Sequence, residues 1–130
     1  MPSSTLHGLL ARAAAALERG HGADAARMLQ PALKSTLPRD DELSVRAALA
    51  EAWLQQDDLD EAATALGRPP DTFREPLPPV RLSTLWRLHG RLASARGDQS
   101  RAIAMHQRAL KQVRTRRAGV RYGVAPFLRQ

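Results

Sequence analysis

The chain has 130 residues, with 20 Lys and Arg against 13 Asp and Glu, a formal net charge of +7, and hydrophobic and aromatic shares of 43% and 4%. This is the length of one ordinary domain, able to build a core without covalent staples. With no Cys, disulfides, thiolate zinc sites and thiol nucleophiles are excluded, and few aromatics beside abundant alanine favour close helix–helix packing over a β-sandwich.

The charge is unevenly distributed. Residues 1–80 carry 8 basic and 12 acidic side chains, whereas residues 81–130 carry 12 basic and 1 acidic. Such a split points to an acidic partner or to nucleic acid. Most of the bases are Arg, with Lys only at Lys34 and Lys111. That bias is expected of a GC-rich genome, and it does not account for the clustering. No stretch approaches the roughly 18 apolar residues of a membrane span. The first twenty residues have the Arg and apolar content of a transit peptide. Glu18 and their helical pattern favour a repeat helix instead, and a cytoplasmic location is expected.

In chain order, Thr5 is placed to cap a helix bearing Leu6, Leu9, Leu10, Ala13 and Leu17 at three- and four-residue spacing. Gly20-His21-Gly22 ends it. Asp24 is placed to cap a second helix with Ala25, Met28, Leu29, Ala32 and Leu33 on one side. Pro31 predicts a kink or a stop near Leu29. The acids Asp40, Asp41 and Glu42 precede Leu43, where negative charge suits a helix N-terminus. That helix runs through Val45, Leu49, Ala52 and Trp53, with a turn at Gln56-Asp57-Asp58 and a further helix from Leu59 to Leu66. Gly67-Arg68-Pro69-Pro70 stops it.

Residues 67–81 hold five prolines and read as a stiff spacer, which Phe73 and Leu77 are suited to pin to the body. A third hairpin follows from Leu82 to about residue 114, with Ser83 or Thr84 and then Asp98 as candidate caps. Gly119, Gly123 and Pro126 end regular helix, leaving a basic and apolar tail, 118–130.

The three hairpins align on Ala25, Ala62 and Ala102, which lie 37 and 40 residues apart. Twelve residues before them stand Ala13, Ala50 and Gly90; five before stand Gly20, Asp57 and Gly97. In the third hairpin Trp86, Gly90, Ala102 and Ala109, with a Gly97-Asp98 turn, resemble the tetratricopeptide repeat signature W-x2-L-G-x2-Y, A-x3-F, P. It departs at His89, Ala93 and His106. The second hairpin fits through Leu49, Ala50, Trp53, Ala62 and Leu66, with Arg46 in the Trp position. The first fits through Gly20, Ala25, Leu29 and Ala32. The resemblance implies an all-α fold of three stacked antiparallel hairpins, a short right-handed solenoid over 1–117 with repeats near 5–38, 40–68 and 82–114. It is similar to the divergent repeats of bacterial regulators and secretion chaperones, and implies an adaptor or chaperone.

The resemblance also implies a concave groove lined by the first helix of each hairpin. On this chain that means Leu10, Leu17, Glu51, Leu54, Gln55, Arg87 and Arg91, with His7, Ala14, Ser44, Ala47, Thr84 and Ser94 beside them. Arg87 and Arg91, four apart on one helix, suit a carboxylate or phosphate. A second candidate contact is Arg114, Arg116, Arg117 and Arg121 with Tyr122, which suits phosphates and a stacked base. Phe127 and Leu128, with Val120 and Tyr122, are expected to wrap onto the last hairpin. The expected partner is therefore an acidic, extended or helical segment of another protein. Nucleic acid and a second copy of the chain are the alternatives. His89 and His106 are expected to be packed, hydrogen-bonded core residues, and Trp53 and Trp86 core anchors. No phosphate-loop, dinucleotide, zinc-protease or nucleophile-elbow motif is present, so neither catalysis nor a cofactor or metal is expected.

Overall fold

The computed structural model describes residues 3–113, which form α-helices and short 3-10 segments with no strand among them. α1 (Ser3–Glu18) and α2 (Gly22–Leu29) form a first pair. α3 (Arg39–Gln55) and α4 (Leu59–Leu66) form a second. α5 (Pro79–Ala95) and α6 (99–113) form a third. α2 stops at Leu29, and a 3-10 segment over Gln30–Lys34 carries Pro31 at its start. The missing N–H of Pro31 is tolerated there because a first turn needs no donor.

The three interhelix turns are built alike. Gly20, Asp57 and Gly97 all have positive φ, at 77°, 57° and 84°. The amides that follow donate five residues back: His21 to Ala16 O (2.8 Å), Asp58 to Trp53 O (3.0 Å) and Asp98 to Ala93 O (2.9 Å). This closes each first helix in the same left-handed way. Asp58 and Asp98 then cap the helices that follow, accepting from the amides of Glu61 (3.2 Å) and Arg101 (3.1 Å).

Other helix starts depart from the sequence reading. α1 begins at Ser3, before Thr5; α2 begins at Gly22, with no side-chain cap from Asp24, which instead pairs with Arg27 one turn on. α3 follows Pro38 without a capping side chain but carries Asp40, Asp41 and Glu42 in its first turn as expected, and α5 follows Pro78, also uncapped. α5 starts at Pro79, three residues before Leu82 and inside the predicted spacer, and Thr84 Oγ1 bonds back to Val80 O at 3.0 Å. Proline's fixed φ sets these N-termini in place of a polar cap.

Each helix packs against its successor, and α1, α3 and α5 also meet in sequence. Asp40 pairs with Arg81 (2.9 Å) and Glu51 with Arg91 (3.1 Å), so advancing along α3 advances along α5 in the same direction: the two helices are parallel. Gln55 Nε2 donates to Leu17 O (2.7 Å), tying the ends of α3 and α1 together. One core runs from Leu6 through Ala13, Leu29, Val45, Ala50 and Ala62 to Leu85 and Leu92. Phe73 and Leu77 of the Pro-rich segment pack on it, as expected of pins. A smaller cluster of Trp86, Met105 and Ala109 holds α6 to α5.

Small residues allow this closeness. A Cβ on Gly22 would stand 2.6 Å from the Ala52 carbonyl oxygen, and one on Gly90 would stand 2.8 Å from the His106 ring.

Candidate functional site

Leu10, Ala14, Leu17, Glu51 and Gln55, five of the predicted groove residues, meet in one cleft of about 360 Å³ between α1 and α3, together with Glu18 and Ala48. Their spacing explains the convergence. Leu10, Ala14 and Leu17 share a face of α1 at steps of four and three, and Ala48, Glu51 and Gln55 do the same on α3. The floor is apolar and the rim carries two carboxylates. Gln55 is not free, because its amide nitrogen is held by the Leu17 carbonyl.

The remaining predicted groove residues lie elsewhere. Leu54 is half-buried against the core, outside this cleft. Arg91 sits beside the rim with its Nη1 on Glu51 Oε1 at 3.1 Å, so a carboxylate of the chain already engages it. Arg87 is exposed and has no ion pair among the described residues. Arg114, Arg116, Arg117, Arg121, Tyr122, Phe127 and Leu128 lie outside the described residues.

Two of the further clefts among the described residues involve Trp53 and His89, which the sequence reading places in the core. The larger, about 560 Å³, opens on the opposite face of α3, where Arg46, Leu49 and Trp53 meet Arg27, Pro31, Leu33 and Lys34. Its signal was Pro31: ending α2 at Leu29 turns the chain aside and leaves Trp53 half-buried at an edge. The other, about 290 Å³, lies between α4 and α5 and is lined by Ala63, His89, Leu92, Arg96 and Arg101 among others. His89 is buried as predicted, but its Nε2 has no hydrogen-bond partner. Burial holds the imidazole below its usual range, Arg101 adds to this, and the Arg68 backbone and Asp71 oppose it. His106 is half-buried against Gly90.

The basic third pair is largely paired internally. Of its seven described cations, Arg81, Arg91, Arg96 and Arg108 reach Asp40, Glu51, Asp60 and Asp71 at 2.9, 3.1, 3.4 and 3.3 Å. The charge split in the sequence thus serves in part to dock one half of the chain on the other.

No protein-family model, curated protein or solved structure matches this chain. Among the described residues, no cluster of three or more His, Asp or Glu is arranged to hold a metal ion, and no helix is long and apolar enough to cross a membrane.

Proposed function

We propose that this chain is a tetratricopeptide-like repeat module, a non-catalytic adaptor or chaperone that holds a segment of another protein in the cleft between α1 and α3. The cleft itself carries the reading: side chains from two parallel helices gather an apolar floor of Leu10, Ala14, Leu17 and Ala48 under a rim bearing Glu18 and Glu51. Such a site takes an apolar side chain for affinity, and a nearby basic group for orientation. Three turns of one construction and in-register first helices support the repeat reading. The acidic rim changes the partner expected from the sequence: with Arg91 on Glu51, a segment mixing apolar and basic residues fits here better than an acidic one.

The test is a displayed peptide library selected on the chain. Enriched peptides should carry an apolar residue beside Lys or Arg. Ala14→Arg, at an exposed position in the cleft, should cut their affinity tenfold or more without changing the melting temperature. Peptides that bind this variant equally well refute the cleft as the site.

A further inference from the structure

His89 is the one buried polar or charged side chain among the described residues, 7% exposed, and its Nε2 has no hydrogen-bond partner. A buried polar nitrogen left unpaired is costly and uncommon, so it asks for a partner. The ring's protonation says which kind. Burial, and then Arg101, lowers its pKa against the Arg68 backbone and Asp71, so the imidazole is neutral at pH 7.5. A backbone hydrogen bond favours the charged ring only through a carbonyl, so Arg68 engages the ring's N–H and Nδ1 carries the proton. Nε2 is then an acceptor, and the partner it lacks is a donor.

His89 lines the cleft of about 290 Å³ between α4 and α5 together with two arginines, Arg96 and Arg101. Arg101 has no ion pair among the described residues. Arg96 has only Asp60, at 3.4 Å and with that carboxylate fully exposed. The acid of the cleft, Asp98, is already engaged, since its carboxylate caps the amide of Arg101 at 3.1 Å. The other walls, Ala63, Gly67, Pro69, Leu92 and Ala93, are small or apolar. Two cations and an unpaired acceptor thus share one small cleft.

We infer that this cleft binds a small hydroxy acid, whose carboxylate pairs with Arg101 and Arg96 and whose hydroxyl donates to His89 Nε2. Each half of such a ligand answers one feature, an anion for the cations and an O–H for the accepting nitrogen. A plain carboxylate answers only the first and leaves Nε2 unpaired. An ammonium donor answers only the second and meets two arginines. The volume lies at the lower end for ligand pockets and suits a molecule of a few carbons, not a peptide. The site is separate from the α1–α3 cleft and does not rest on the function proposed for it.

The experiment is calorimetric titration of the full chain, at pH 7.5 and constant ionic strength, with malate and with succinate, the same dicarboxylate without the hydroxyl. Malate should bind saturably, and succinate about tenfold more weakly or worse. Arg101→Gln, at an exposed position, should weaken malate by about tenfold or more while the helical content stays that of the parent. His89→Leu should lower malate to the level of succinate and leave succinate unchanged. In the parent chain the Nε2 resonance of His89 should shift with malate and not with succinate, a readout that needs no variant. No saturable malate binding, equal affinity for the two acids, or parental affinity in Arg101→Gln overturns the inference. Inorganic phosphate, which also joins an anion to an O–H, overturns the hydroxy acid if it binds more tightly than malate. Ala14→Arg should leave malate binding unchanged; a loss there would place malate in the α1–α3 cleft and overturns the inference as well.

Discussion

Asp57 occupies the left-handed conformation that Gly20 and Gly97 hold in the other two turns. An L-residue pays roughly 1–2 kcal/mol there, offset in part by the greater entropy glycine loses on folding. Asp57→Gly should therefore raise stability by about 0.5 kcal/mol, and Gly97→Ala should lower it by about 1 kcal/mol, in urea denaturation. Nothing lies within 4 Å of a Cβ at Gly97, so that loss is purely one of backbone conformation. Gly22→Ala is a different case, since its Cβ would meet backbone that cannot swing away. A loss of about 2–3 kcal/mol is expected, as for an overpacked core.

His89 stands where the second pair has Leu49. Its pKa is lowered in the fold, first by burial and then by Arg101. The unfolded chain therefore binds the proton more readily. Stability is full above the unfolded value of about 6.5 and falls as pH drops through it towards the folded value. Melting temperatures should decline between pH 7.5 and 5.5, and His89→Leu should flatten that slope. Glu42 acts in a separate window. Partial burial works to raise its pKa, and Arg39 and Arg46 overcome this and lower it, so its contribution is lost only below the ordinary carboxylate range. An unchanged slope in His89→Leu would assign the pH dependence to another group.

At the scale of elements, α5 and α6 are held to the acidic middle of the chain by ion pairs as well as by apolar contact. Such pairs are partly exposed, and solvent screening keeps each small. A double-mutant cycle on Glu51 and Arg91, with side chains 33% and 38% exposed, should give a coupling of about 0.5 kcal/mol that shrinks in 0.5 M salt. A coupling of zero at low salt would mean that apolar contact alone joins α5 to α3. The helix starts at Pro38 and Pro78–Pro79 belong to this scale too. Polar residues are the usual helix caps, whereas these two starts use proline's preset φ, with Pro79 at the first helical position of α5.

Across the whole molecule, the two ends of the stack differ. Among the described residues, α1 exposes Arg12 and Ala15, whereas α6 exposes Ile103 and Leu110. The period was legible in the sequence. Small residues at 25, 62 and 102 and turn residues at 20, 57 and 97 recur at the spacing where the left-handed turns stand. Half of the cleft was legible through the resemblance, which implies a groove lined by the first helix of each hairpin; helical geometry then sets Leu10 with Leu17 and Glu51 with Gln55 on shared faces.

The sequence by itself determined the all-helical architecture, the turns and the apolar side of each helix, because these depend on neighbours within about one turn of helix. Only the tertiary structure decided that Arg91 pairs with Glu51, that Trp53 lines a cleft, and that His89 is buried with Nε2 unpartnered. Those outcomes depend on how one helix is rotated against another some 40 residues away, to which local periodicity is blind.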